Sequence, residues 1–181
     1  MPTIANTYGS TAHISPLLRK VRKLGLLTSN ALLQLAVARG CGHYASPDFK
    51  SEELRDPGLD RLGDLELGVA LISGAQDYEP QRMRCAAQLL SAPQIKAAKL
   101  VRLAKMECCG PVLSYIAHHA RQWDEGREAF WQEVIQRLPD QAGPVTAGVW
   151  PHPSRFMIQA GYRRGGGTSR PVWLRPRPVS P

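Results

Sequence analysis

Three observations predict a mainly α-helical fold, a compact multi-helix bundle or a short helical solenoid. Residues that start helices (Ser15-Pro16, Thr28, Asp64, Pro80, Pro93, Pro111) alternate at helix length with residues that stop them (Gly25, Gly40, Gly74, Gly110, Pro139). Apolar residues between these boundaries recur at spacings of three and four, which puts them on one side of a helix. Hydrophobic residues make up 43% of the 181, enough to bury a core and too many for a wholly disordered chain.

Residues 1–14 are polar and without periodicity, and are expected to be flexible. Residues 15–40 read as a helical hairpin. In its first helix Leu17, Leu18, Val21 and Leu24 share one arc, and Arg19, Lys20, Arg22 and Lys23 fill the other. The second runs from Thr28 to Gly40 and is apolar nearly all round, so it calls for burial. Residues 41–63 hold scattered Pro and Gly and read as a connection that separates the hairpin from the main body. The body, 64–139, is expected to hold five short helices: from Asp64 to Gly74, from Pro80 to Leu90, from Ser91 and Pro93 to Cys109, from Pro111 to Trp123, and after Asp124. Phe130, Trp131, Val134, Ile135 and Leu138 form the apolar side of the last. Residues 140–181 change character. Two runs, 156–162 and 171–174, read as short strands of a hairpin around Gly165-Gly166-Gly167, and the Pro-rich end reads as extended.

Several function classes are disfavoured by what the chain lacks. No run of about 18 apolar residues occurs, so no membrane span is expected, and residues 1–14 do not resemble an export signal. A cytoplasmic location with Cys41, Cys85, Cys108 and Cys109 as reduced thiols is therefore expected. Cys108-Cys109 and His118-His119 invite a zinc reading, with Cys41 and His43 as further ligands. The break at Gly110-Pro111 sets His118 about 10 Å along the next helix, at 1.5 Å per residue, too far for the short bonds that zinc requires. No metal or other cofactor is expected. The sequence contains none of the nucleophile-elbow, metalloprotease or phosphate-loop patterns, and no enzymatic activity is expected.

Charge is the informative property. The formal net charge is +8. Residues 1–60 carry seven Lys/Arg against five acids and residues 61–140 carry ten of each, whereas residues 141–181 carry six arginines and no acid. The tail interleaves Arg155, Arg163, Arg164, Arg170 and Arg175 with Phe156, Tyr162 and Trp173. That mixture suits docking on a partner protein through Arg and Trp anchors, or single-stranded nucleic acid through phosphates and stacking; a solvated linker is the plain alternative. A secondary basic face, Lys96, Lys99, Arg102 and Lys105, recurs every third residue opposite Ala97, Leu100, Val101 and Ala104. It reads as a phosphate-contacting surface, or plainly as a solvated face or one paired with Asp124, Glu125, Glu128 and Glu133. Residues 15–39 have the lengths of a helix-turn-helix, but the second helix offers only Asn30 and Gln34 as a polar stripe to reach base edges, so a plain hairpin is preferred. The expected function is a non-enzymatic adaptor or regulatory domain binding an unknown protein; the alternative is an accessory protein binding RNA or DNA.

Overall fold

The computed structural model describes residues 15–26, 28–42, 60–73, 79–138, 158–160 and 170–176. The described chain is mainly helical. Its helices are α1 (Pro16–Lys23), α2 (Ser29–Ala38), α3 (Asp64–Ile72), α4 (Pro80–Leu90), α5 (Ala97–Met106), α6 (Gly110–Trp123) and α7 (Glu128–Gln136). No helix among the described residues is long and apolar enough to cross a membrane.

Local chemistry sets the ends. Ser15 Oγ accepts from the Leu18 N–H at 3.1 Å and Thr28 Oγ1 from the Ala31 N–H at 3.1 Å, each satisfying one donor that the first helical turn leaves open. The α2 terminus closes when Cys41 N–H reaches back to Ala36 C=O at 3.0 Å, with Gly40 at φ +107°, a value that L side chains rarely adopt. α5 ends with the same pattern, Cys109 N–H on Ala104 C=O at 3.0 Å, yet the left-handed residue there is Cys108, at φ +54°. In α3 the Glu66 carboxylate turns back to accept from the Gly63 N–H and also receives Lys20 Nζ at 2.6 Å, so one side chain caps its own helix and ties α1 to it.

One boundary differs from the sequence expectation. The segment after Ser91 does not enter a helix at Pro93: residues 91–96 make a turn, and α5 begins at Ala97 with Lys96 as its cap residue. The Arg127 guanidinium holds the carbonyls of Ala92 and Ile95, both at 3.3 Å, and Ile95 is buried, which fixes the turn outside the helical ladder.

Among the described residues one buried cluster joins the helices. Leu17, Val21, Leu32 and Leu35 of the N-terminal helices and Leu26 between them belong to it together with Leu67, Ile72, Met83, Leu100, Leu113 and Trp131. Residues 15–41 therefore share a core with 62–138, although most of the connection between them lies outside the described residues. α3 is apolar on most sides and sits among α1, α2, α4 and α5; α7 lies against α5 and α6. α3 and α4 pack closely at Gly68, where an added Cβ would stand 2.7 Å from Leu90 Cδ2 and 2.8 Å from Leu90 Cγ. In the C-terminal part β1 (Ile158–Ala160) and β2 (Arg170–Val172) pair antiparallel with Ile158 opposite Val172. The residues between them lie outside the described ones.

Candidate functional site

α5 offers the clearest surface. Its buried side carries Ala97, Leu100, Val101 and Ala104, all 5% exposed or less. That burial fixes the helix rotation and forces Lys99, Arg102 and Lys105 outward, with Lys96 exposed one residue before the helix. Neighbouring cations three residues apart on a helix repel by a few tenths of a kcal/mol per pair. Acids do not relieve this: among the described residues none of the four is ion-paired. The alternative in which the row pairs with Asp124, Glu125, Glu128 and Glu133 is not realised, and three of these acids are used elsewhere. Asp124 holds Arg175, Glu133 holds Arg137 at 2.7 Å, and Glu128 accepts from the Gly126 N–H at 3.0 Å. That backbone N–H, with the Glu128 N–H, holds the Glu128 carboxyl below its usual range.

Beside this row lies an open groove of about 460 Å³, lined by Ala98, Val101, Arg102, Lys105 and Met106 of α5 and by Arg137 just past α7. Met106 is 50% exposed, the large hydrophobic side chain most open to solvent among the described residues. Sequence reasoning missed Met106 and Arg137. The first was within reach, since Met106 is four residues after Arg102 and so shares its stripe. Arg137 arrives only through tertiary packing.

The tail residues part company. Trp173 packs on the core, edge-on to Trp131 with ring centroids 6.1 Å apart. Its indole N–H is buried and has no hydrogen-bond partner among the described residues. Arg175 donates to Asp124 Oδ1 at 2.8 and 3.2 Å and to the Glu125 carbonyl. Asp124, only 1% exposed on its side chain, also accepts from Trp131 Nε1 at 2.7 Å. Two residues expected on a partner surface thus close against the chain's own last helix pair. Arg170 lies on β2, and Arg155, Arg163 and Arg164 lie outside the described residues.

The described thiols and histidines do not converge, and His43 lies outside the described residues. Among the described residues no group of three His, Cys, Asp or Glu is placed to hold a metal ion. His118 is exposed, while His119 lies edge-on to Tyr115 at 4.8 Å. Cys41, Cys85 and Cys109 are buried and Cys108 is exposed. The Cys41 thiol is pushed far up by its hydrogen bond with Cys85 and by burial, and burial pushes Cys109 up to about 12. Thiols held protonated in this way are poor nucleophiles. Glu107, 6% exposed, accepts from Ser15 Oγ through one oxygen, and its other oxygen has no partner among the described residues.

No protein-family model, no curated protein and no solved structure matches the chain.

Proposed function

We propose that this chain is a non-enzymatic protein-interaction domain, an adaptor or regulatory module that binds an acidic partner through α5, with the arginines of the tail as a second contact. The observation that carries the reading is the row Lys96, Lys99, Arg102 and Lys105: four exposed cations that repel one another and, among the described residues, have no acid within ion-pair distance. They contribute little to the fold, so their arrangement makes sense as half of an electrostatic match whose other half is on another molecule. The helices form a compact bundle in this reading, with the strand pair 158–160 and 170–172 as a hairpin. The cytoplasm is the compartment assumed, in keeping with four free cysteines.

A second reading, an accessory protein that binds RNA or DNA, is favoured by a separate observation: residues 141–181 carry six arginines, three glycines in a row and no acid. Affinity capture with the full chain from native extract, with and without nuclease, separates the two. Partners that survive nuclease, and that are lost when Lys99, Arg102 and Lys105 are all replaced by Glu, support the protein-interaction reading. Capture that disappears with nuclease transfers the function to nucleic acid. Capture that ignores salt overturns both, since exposed charge contacts are screened.

A further inference from the structure

The groove along α5, bounded by Arg137 just past α7, combines an apolar floor with a cationic rim. Ala98, Val101 and Met106 make the floor; Arg102, Lys105 and Arg137 make the rim. Among the described residues Arg137 bonds Glu133 through Nε, which leaves its two terminal nitrogens for a second carboxylate. A half-exposed methionine and a row of unrelieved cations each carry a small cost, and one kind of ligand removes both at once: an apolar side chain flanked by carboxylates.

We infer that this groove docks an acidic amphipathic helix of a partner protein, with one apolar anchor seated against Val101 and Met106 and carboxylates reaching Arg102, Lys105 and Arg137. The inference rests on the protein-interaction reading above and gives it a site. A helix is the fitting element because α5 and α7 present side chains whose backbone groups are already bonded within the helices, so the groove offers no edge for strand addition; a docking helix likewise brings its own satisfied backbone. Methionine suits such a seat, since its unbranched, polarisable side chain repacks around differing anchors. A nucleic-acid strand would use the rim but waste the floor, which has no aromatic ring on which a base could stack.

The test is fluorescence anisotropy on the full chain at low salt with three labelled probes: a synthetic amphipathic helix with leucine on one face flanked by glutamate, the same peptide with glutamine for glutamate, and a mixed-sequence oligonucleotide. The glutamate peptide should bind. Its affinity should fall about tenfold or more in Met106→Asp and in Arg102→Glu, and should hold in the variant with Arg163, Arg164 and Arg170 all changed to Ala. Both groove positions are exposed, and thermal unfolding checks that the variants keep the wild-type Tm. The glutamine peptide should bind about tenfold more weakly. Absence of peptide binding, binding indifferent to Met106→Asp, loss confined to the tail variant, or an oligonucleotide that binds more tightly and loses affinity in Arg102→Glu each overturns the inference. Nuclease-resistant capture, lost on charge reversal, stands or falls independently, so failure of the groove is distinguishable from failure of the protein-interaction reading.

Discussion

The two oxygens of the buried Asp124 carboxylate are divided between Trp131 and Arg175, and each division has a measurable consequence. Asp124→Ala should lower stability by about 3 kcal/mol in urea unfolding, because it strands a buried indole N–H and uncouples the tail at once. Arg175→Ala should cost less, about 1 kcal/mol, since that guanidinium is nearly half exposed and water takes over part of its role. The thiols supply a pH prediction. An unfolded cysteine ionises near 9.0, whereas Cys109 in the folded chain resists until about 12. The folded state holds the proton longer, so stability is fully present below about pH 9 and falls as pH rises from there toward 12. Urea midpoints at rising pH should show this, and Cys109→Ala should flatten the slope. None of this was legible in the sequence. Asp124 read as a helix start and Arg175 as a free contact, because spacing along the chain carries no record of a pair 51 residues apart. The rotation of the helix at 97–106 was legible, because its apolar and cationic positions separate cleanly by period.

Helix boundaries written in side-chain chemistry were the readable part at the scale of elements. Ser15, Thr28 and Pro80 stand where expected, because each acts on the first turn beside it. The start near residue 93 was misread, since the turn there is held by Arg127, a residue no local rule connects to it. Two glycine-related predictions belong here. Cys108 occupies a left-handed conformation that glycine adopts freely, so Cys108→Gly should stabilise the chain by about 0.5–1 kcal/mol, read as a raised Tm. Gly68→Ala should do the opposite. The gain in helix propensity, about 1 kcal/mol, is outweighed by forcing the fully buried Leu90 away from α3, and a net loss of about 1–2 kcal/mol is expected in the same assay.

Across the whole molecule, the shared core decides how the chain melts. With Leu17, Val21, Leu32 and Leu35 packed into the cluster that holds Leu67 and Leu100, the helices should unfold in one transition, with far-ultraviolet circular dichroism and tryptophan fluorescence coincident. Removing residues 1–42 should abolish that cooperativity, because it bares the face of α3 that α1 and α2 cover. The mainly helical class was legible from composition and boundaries. The joining of the first two helices to the body was not, since a long connection looks the same in sequence whether it separates units or returns to one core. The groove was half legible, its rim in the charge pattern and its floor only in the packing. The Asp124–Arg175 bond also bears on synthesis. A ribosome delivers Asp124 and Trp131 well before Arg175, so the nascent chain must carry a carboxylate ready for burial while its cationic partner is still untranslated. The last helix pair therefore cannot reach its final packing co-translationally until the tail emerges, and a message truncated before codon 175 yields a product that chaperones and proteases meet with this corner open.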